Sequence, residues 1–285
     1  MRDLAGRPDL CAINTATLGF QAPISEVIET VARAGFGGIA PWRREVEGGD
    51  VAAIGRQIRD AGLKVTGYCR STYLPAATRA EFLANVDDNR RAIDDAARLG
   101  AYSFFMVVGG LPKGSKDIGG ARAQVAEGAA LLLNHARHLG VRLALEPLHP
   151  VYAADRSCLT TLAEALDLCA AIEPEPPAKP WLGAGIDTYH VWWDPALFPQ
   201  IVRAGRERRI LGFHVNDWLV PTRDVLNDRG MMGDGVIDIR AIRGAVEAAG
   251  YDGLVEVEIF STGTWWKRPM DETLAVCEQR LGTVC

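Results

Sequence analysis

Hydrophobic and polar positions follow two different spacings along this chain, and the two spacings take turns. Amphipathic stretches with an apolar residue every three or four positions end at a glycine, and a short apolar run follows, as in DDAARLGAYSFFMV and NHARHLGVRLALE. The first spacing is typical of helices that bury one face, and glycine is favoured just past a helix end. Short runs rich in Val, Ile, Leu and Phe are typical of strands covered by helices. The pattern therefore predicts repeated strand–helix units.

Eight such units can be counted. The predicted strands cover residues 10–18, 36–41, 64–69, 101–109, 141–146, 181–187, 209–216 and 253–259. The predicted helices cover residues 23–34, 50–62, 78–99, 119–139, 160–173, 195–205, 236–249 and 271–282. Eight alternating units over about 250 residues fit a TIM barrel, and no glycine-rich phosphate loop follows the first strand as in doubly wound sheets. Since no linker divides the chain, we expect one (β/α)8 domain over residues 1–285, with residues 1–9 as an N-terminal extension.

Composition and charge narrow the classes of function. The 285 residues are 48% hydrophobic and 24% charged, which is ordinary for a globular protein. The net charge of −5 argues against a nucleic-acid surface, because phosphate backbones select basic patches. No apolar run is long enough to span a membrane, which takes about 20 residues. The start, MRDLAGRPDL, lacks the apolar segment of a signal peptide, and the six cysteines are scattered like reduced thiols. We therefore expect a cytoplasmic protein that binds neither nucleic acid nor membranes.

Four consecutive predicted strands carry an ionisable residue at the C-terminal end, where TIM barrels place their active sites. Strand alternation points these side chains inward on the fifth to eighth strands: Glu146, Asp187, His214 and Glu258. Three carboxylates around one barrel mouth would repel each other unless a cation lay among them. Three carboxylate oxygens and one imidazole suit a single divalent ion, with Mn²⁺ fitting best and Mg²⁺, Co²⁺ or Zn²⁺ as alternatives. Separate helix caps or ion pairs would explain any one of these residues but not all four.

These strand ends, together with the segments DTYH and HVND, resemble the xylose isomerase-like TIM barrel superfamily of sugar isomerases and epimerases. The resemblance covers nearly the whole chain, and the order Glu, Asp-x-x-His, His, Glu is specific to that superfamily. It implies that Glu146, Asp187, His214 and Glu258 bind one divalent metal ion, and that Glu146 and Glu258 are the catalytic acid/base pair. His190 is then expected to face a substrate oxygen; the alternative is a hydrogen bond to a metal-binding carboxylate.

The resemblance also suggests substrate-binding residues in the loops. In epimerase-like relatives an arginine at the place of Arg229 reaches the substrate, whereas the alternative for Arg229 is an ion pair with Asp228 or Asp234. The other candidates for substrate binding, which follow the fifth and second predicted strands, are His149, Arg156 and Trp42.

Two further features have open interpretations. The tryptophans beyond the sixth and eighth strands are Trp192, Trp193, Trp265 and Trp266. Such aromatic faces stack on sugar C–H surfaces, but tryptophan is equally common at subunit contacts, so a homo-oligomer is an alternative. Glu256 is expected to point inward one layer below Glu258, and Arg142 at the base of the fifth strand is the candidate partner.

The resemblance implies chemistry on a small carbohydrate: a sugar, a keto-sugar or a related polyol. One glutamate would remove a proton beside a metal-bound carbonyl, giving an ene-diolate, and the other would return a proton. We favour an isomerase or epimerase, while loss of a β-substituent would instead give a dehydratase or lyase like those acting on 2-keto-inositols or 3-keto-glycosides. A non-catalytic sugar-binding barrel is the alternative from another class. Members that cut abasic DNA carry histidines on early strands, and this chain has none before His135.

Overall fold

The strands of the computed structural model, which describes residues 1–285, form one nine-stranded parallel sheet and a separate two-stranded antiparallel ribbon. In chain order the strands are β1 (Cys11–Asn14), β2 (Gly38–Ala40), β3 (Lys64–Val65), β4 (Tyr68–Cys69), β5 (Ser103–Met106), β6 (Arg142–Leu145), β7 (Leu182–Asp187), β8 (Ile210–Val215), β9 (Asp217–Trp218), β10 (Arg229–Gly230) and β11 (Val255–Val257). The order within the large sheet is β3-β2-β1-β11-β8-β7-β6-β5-β4, and β9 pairs with β10 in the ribbon.

The large sheet closes through a single segment of chain. Its two end strands, β3 and β4, are successive pieces of the third predicted strand, 64–69, separated only by Thr66 and Gly67. The first piece pairs with β2 and the second with β5, so this strand joins both edges of the sheet. Counting the two pieces as one strand gives eight, which confirms the predicted (β/α)8 TIM barrel.

Ten α-helices accompany these strands. They are α1 (Ile24–Arg33), α2 (Arg43–Val46), α3 (Val51–Asp60), α4 (Arg79–Leu99), α5 (Ile118–Leu139), α6 (Leu162–Ile172), α7 (Thr188–Val191), α8 (Leu197–Arg206), α9 (Ile239–Ala248) and α10 (Met270–Thr283). The eight longer helices match the eight predicted ones, and α4 and α5 end at Gly100 and Gly140, whose φ angles are +77° and +75°. A hydrophobic core of 63 buried residues joins strands and helices. None of the helices has the length and apolar character needed to cross a membrane.

Some strand ends differ from the prediction because a side chain there accepts a hydrogen bond from a nearby backbone N–H group. The first strand stops at Asn14 rather than residue 18, because the Asn14 side chain accepts a hydrogen bond from the N–H of Ala16 and begins a 3₁₀ turn. The short helix α7 lies between the predicted strand 181–187 and the predicted helix 195–205, and it begins where the Asp187 side chain accepts a hydrogen bond from the N–H of Tyr189. The last barrel strand, β11, ends at Val257, which leaves Glu258 just beyond it.

A bulge interrupts the simple alternation in β8. Ala184 pairs with Ile210 and Gly185 pairs with Gly212, so Leu211 is an extra residue in the register. Ile210 packs against the outer core, while Leu211 belongs to the small cluster that also contains Phe105. Unbroken alternation would place Ile210 on the same face as Gly212 and His214, and the extra residue prevents this.

The ring of Phe105 fills the barrel beneath the mouth, and glycines on neighbouring strands make room for it. A Cβ atom at Gly185 or Gly212 would lie 2.4 Å from a carbon of this ring, and one at Gly67 would lie 2.6 Å away. The same ring lies 4.5 Å from the imidazole of His214, centroid to centroid, at an interplanar angle of 31°. Phe105 thus forms a floor under the residues at the strand ends.

We predict that Gly185→Ala destabilises the barrel by about 1–3 kcal/mol, because the added methyl group overpacks the Phe105 ring. Urea unfolding monitored by circular dichroism measures the free energy of unfolding. Combining Gly185→Ala with Phe105→Leu should recover part of the loss, since the smaller side chain removes the clash.

The matched control is Gly244→Ala in α9, where the nearest atom to an added Cβ is Sδ of Met1 at 3.8 Å. This variant should equal the wild type or gain up to about 1 kcal/mol from helix propensity. Wild-type stability of Gly185→Ala would contradict the proposed packing constraint.

Candidate active site

The four ionisable residues at the predicted strand ends lie together at the C-terminal mouth of the barrel. One ligand atom from each of Glu146, Asp187, His214 and Glu258 lies within 4.8 Å of the others, and all four residues are buried. Asp187 ends β7 and His214 lies in β8, while the two glutamates directly follow β6 and β11. These four strands are neighbours in the sheet, so the closure of the barrel brings the side chains to one point.

Three buried atoms in this cluster lack hydrogen-bond partners: Oε1 of Glu146 and both ring nitrogens of His214. Oε1 of Glu146 and Nδ1 of His214 lie 3.4 Å apart. The same Nδ1 lies 3.6 Å from Oε2 of Glu258. Leaving a buried polar atom unpaired costs about 1–3 kcal/mol, and a charged one more. Three carboxylates and an imidazole are suitable ligands for a divalent ion, so the residues present fit a bound metal.

The carboxylate of Asp187 is held by local contacts on one side. Its Oδ1 accepts hydrogen bonds from the backbone N–H of Tyr189 at 2.8 Å and from Nδ2 of Asn216 at 2.9 Å. Its Oδ2 lies 2.9 Å from Nη1 of Arg229. One oxygen is therefore fixed by the end of β7, and the other faces the cluster.

The surroundings of the two glutamates shift their pKa values in opposite directions. Burial raises the pKa of Glu146 to about 7; the charges of Glu258 and Asp187 add to this, and His214 opposes it. Burial also acts to raise the pKa of Glu258, but His214 and Arg229 outweigh burial and lower it to about 2. Without a bound metal ion, Glu146 therefore gains or loses its proton near neutral pH, while Glu258 is ionised.

Glu256 lies one layer below this cluster and is also buried. Its Oε1 accepts a hydrogen bond from Nδ2 of Asn14 at 3.0 Å, and its Oε2 accepts one from Oγ1 of Thr66 at 2.6 Å. The same Oε1 lies 3.2 Å from Nε2 of His214, at ion-pair distance but without hydrogen-bond alignment. The expected pairing of Glu256 with Arg142 is wrong, because Glu256 lies beside His214 instead. Glu256 thus places a negative charge behind the imidazole whose Nδ1 faces the cluster.

His190 is a neutral imidazole at the edge of the cluster. Its Nδ1 accepts a hydrogen bond from the backbone N–H of His149 at 3.2 Å, and burial lowers its pKa to about 3. Its Nε2 lies 3.2 Å from Nη2 of Arg229 and 3.8 Å from Oδ2 of Asp187, so the imidazole contacts the guanidinium at the edge of the cluster.

Arg229 makes neither of the ion pairs considered from the sequence. Asp228 pairs with Arg223, and Asp234 pairs with Arg280 at 2.9 Å. The alternative of an ion pair between Arg229 and either aspartate is therefore wrong.

The guanidinium of Arg229 instead enters the cluster. Its Nη1 lies 2.9 Å from Oδ2 of Asp187 and 3.1 Å from Oε2 of Glu258. The guanidinium carbon lies 4.7 Å from the ring centre of Tyr189 and 4.8 Å from that of Phe260. Arg229 thus supplies a buried positive charge beside two of the carboxylates.

The segments Asp187–His190 (DTYH) and His214–Asp217 (HVND) are hydrogen-bonded to each other behind these side chains. Nδ2 of Asn216 donates to Asp187 and to the backbone carbonyl oxygen of Glu258 at 2.8 Å. The hydroxyl of Thr188 lies 3.0 Å from Oδ1 of Asn216 and accepts the backbone N–H of Asn216 at 3.2 Å. Both polar residues therefore tie the ends of β7 and β8 to the residue that follows β11.

Asp217 fixes the loop that follows Arg229. Its Oδ2 accepts hydrogen bonds from the backbone N–H groups of Gly233 and Gly235, both at 2.9 Å, and its Oδ1 accepts that of Ile237 at 3.0 Å. A Cβ atom at Gly235 would lie 2.1 Å from the carbonyl oxygen of Trp218, so only glycine fits there. This role of Asp217 was missed in the sequence.

A cavity of about 890 Å³ opens from the cluster to the surface of the barrel mouth. The predicted site residues that line it are Glu146, Glu258, His190, Arg229, Arg156 and Trp42. His149 does not line the cavity; its ring stacks on Trp218 at 4.8 Å, and only its backbone contributes by holding His190. Of the other tryptophans considered, Trp266 lines the cavity, whereas Trp192, Trp193 and Trp265 do not.

The sequence analysis missed part of the cavity wall. The missed lining residues include Phe20, Arg70, Tyr73 and Phe260. Arg70 directly follows the third barrel strand, which ends in Cys69. Its position after a strand end was the available signal.

Fold and site together define a TIM barrel with a buried carboxylate–imidazole cluster at its C-terminal mouth. The profile of the xylose isomerase-like TIM barrel family matches residues 28–279, and the chain belongs to that family. None of the curated proteins compared matches the chain significantly.

Solved structures share this fold. The crystal structure of protein SMc04130 from Sinorhizobium meliloti 1021 is 50% identical, covers 98% of this chain and 99% of its own, and has a TM-score of 0.93. The IolI protein with a bound zinc atom is 16% identical over 96% of this chain and 97% of its own, with a TM-score of 0.80. D-Psicose 3-epimerase, solved in the presence of D-fructose, is 20% identical over 95% and 96%, with a TM-score of 0.75. The last two likenesses show the fold alone.

We predict that Mn²⁺ binding weakens as the pH falls from about 8 to about 6. Glu146 holds its proton below its pKa of about 7, and a carboxylate must be ionised to bind a metal ion. Calorimetric titrations in buffers of different ionisation enthalpy should also show proton release on binding. Equal affinity at both ends of this range would contradict the assigned protonation.

We also predict that Glu256→Gln lowers the affinity for Mn²⁺ by about 10- to 100-fold, because it removes the charge behind His214. Calorimetry measures the affinity, and circular dichroism checks that the fold is kept. The control is Glu45→Gln, which alters a glutamate whose carboxylate bonds the N–H of Trp42 outside the cluster. Equal losses in the two variants would show that Glu256 has no specific effect on His214.

Proposed function

We propose that this protein is a divalent-metal-dependent isomerase or epimerase of a sugar, keto-sugar or related polyol. The observation that carries the proposal is the buried cluster of three carboxylates and one imidazole, whose two glutamates, Glu146 and Glu258, line one cavity. Two carboxylates at one cavity are suited to removing and returning a proton. The proposed metal ligands are Glu146, Asp187, His214 and Glu258.

The comparisons support this class of enzyme. Relatives of the same fold include a protein solved with zinc and an epimerase solved with a ketose. The donor set of three carboxylates and one imidazole leads us to propose Mn²⁺, with Mg²⁺, Co²⁺ and Zn²⁺ as alternatives. The cavity volume of about 890 Å³ suits a small-molecule substrate, for which about 300–1,000 Å³ is usual.

The proposed mechanism assigns each side chain a task at the substrate. A divalent ion bound to the cluster would polarise a carbonyl and make the adjacent C–H more acidic. One glutamate removes that proton, and the other returns a proton from its own side of the cavity. His190 faces a substrate oxygen at the edge of the cluster, and Arg229 places its positive charge beside the negative charge that develops there.

The destination of the returned proton decides the reaction. Return to the same carbon gives an epimer, and return to the neighbouring carbon interconverts aldose and ketose. Loss of a β-substituent after the first proton transfer would instead make the protein a dehydratase or lyase. No contact in this cavity specifically favours that reaction.

The test is proton exchange with D₂O, followed by NMR, on ketoses, keto-inositols and 3-keto-glycosides with Mn²⁺. We predict that Glu146→Gln and Glu258→Gln each lose turnover by about 10²–10⁴-fold while retaining part of the bound metal, because an amide ligates but accepts no proton. In an epimerase each variant should still exchange the proton of one epimer, and the two variants should prefer opposite epimers.

His214→Ala is the companion variant, which should lose the metal while keeping the fold. Wild-type turnover by Glu258→Gln would overturn the proposed proton shuttle. Tight carbohydrate binding without exchange or product for any compound would favour a non-catalytic sugar-binding barrel.

A further inference from the structure

Three arginines at the cavity mouth have no acidic partner. They make neither an ion pair nor a side-chain hydrogen bond, and each stacks over one aromatic ring. The pairs, with the distance from guanidinium carbon to ring centre, are Arg44 over Phe20 at 4.2 Å, Arg70 over Tyr73 at 4.8 Å and Arg156 over Tyr152 at 5.7 Å. All six residues line the cavity that contains Glu146 and Glu258.

The other two arginines of this cavity are neutralised. Arg43 pairs with Glu47 and Asp88, and Arg229 pairs with two carboxylates of the buried cluster. The carboxylates that line the cavity are therefore already matched by Arg43, Arg229 and the proposed metal ion. The three stacked arginines add positive charge that nothing in the wall balances.

The three guanidinium groups have N–H groups without partners that can bind an anion. A guanidinium presents its N–H groups along the edges of its plane. Such an edge matches the two oxygens of a carboxylate or phosphate. The aromatic partner also restricts the side chain, so less conformational freedom is lost on binding.

We propose that the substrate carries an anionic group, a phosphate or a carboxylate, which Arg44, Arg70 and Arg156 bind while the reacting carbon lies at the two glutamates. This inference rests on the proposed function, because it takes the cavity as a carbohydrate site. It divides the cavity into a deep part for the reaction and an outer part for recognition of the charged end.

The experiment compares three ketose compounds that differ only at carbon six. They are D-fructose, D-fructose 6-phosphate and the fructose derivative that carries a carboxylate at carbon six. Calorimetry with the Mn²⁺-loaded protein gives their dissociation constants, and NMR in D₂O follows proton exchange. We expect at least one anionic compound to bind on the order of tenfold to a hundredfold more tightly than D-fructose, as for hydrogen bonds to charged groups. Tighter binding of one anion identifies phosphate or carboxylate as the group recognised.

The variant Arg44→Gln/Arg70→Gln/Arg156→Gln should abolish this preference, so that the three compounds bind with similar affinities. The matched control is Arg142→Gln. Arg142 also stacks on aromatic rings, Tyr102 at 4.6 Å and Trp181 at 5.2 Å, but it lies at the start of β6, away from the mouth. This variant should keep the full anion preference.

Equal affinity for the three compounds, no binding of any of them, or a preference that survives in the triple variant would overturn the anion site. If D-fructose exchanges its proton but no anion preference exists, the proposed function stands and the anion site falls. If the preference depends on the arginines but no compound exchanges, the anion site stands and the isomerase assignment falls.

Discussion

The structure depends on how negative charge is buried at one end of the barrel. Four buried carboxylates lie near one imidazole and one guanidinium; the residues are Glu146, Asp187, Glu256, Glu258, His214 and Arg229. Two like charges about 4 Å apart repel by about 4 kcal/mol at the effective dielectric of a protein. Arg229 and His214 offset only part of this repulsion, and a divalent ion bound at the unpaired atoms would offset more. Much of the surrounding structure holds these charges in place.

The ribbon of β9 and β10 is one consequence of this constraint. It delivers Arg229 to the cluster, and the carboxylate of Asp217 anchors the loop behind it through three backbone N–H groups. The hydroxyls of Tyr152 and Tyr189 both donate to the carbonyl oxygen of Val225, which fastens the preceding loop over the mouth. A loop that carries a buried cation must be held firmly, because a buried carboxylate that loses its cation is strongly destabilising.

Strand alternation is the reason why the cluster could be predicted from the sequence. The side chain of a residue at a strand end points either into the barrel or toward the helices. Closure of the barrel brings all the side chains that point inward to one place. The eight units and the family resemblance were confirmed for the same reason, since they rest on local spacing. Alternation failed where a bulge added Leu211, because the register of β8 depends on its pairing with β7.

Contacts between distant segments could not be predicted in this way. Glu256 is held by Asn14 and Thr66, which lie 242 and 190 residues away in the chain. Arg229 has two aspartates close in sequence, yet its partners Asp187 and Glu258 come from other strands. In both cases the partner is decided by the three-dimensional closure of the barrel and by relief of buried charge, neither of which a local pattern contains.

The two ends of the cavity are built by different means, and this explains why chemistry is easier to infer than substrate. The deep end rests on strands, on the ring of Phe105 and on glycines that tolerate no side chain, so its geometry is rigid. The outer end consists of Arg44, Arg70 and Arg156, which lie beyond strand ends and are held only by aromatic stacking. We therefore expect a change of an outer arginine to alter recognition without disturbing the buried cluster. On the proposed function, the barrel fixes the residues that carry the reaction, whereas the loops supply the residues that select the substrate.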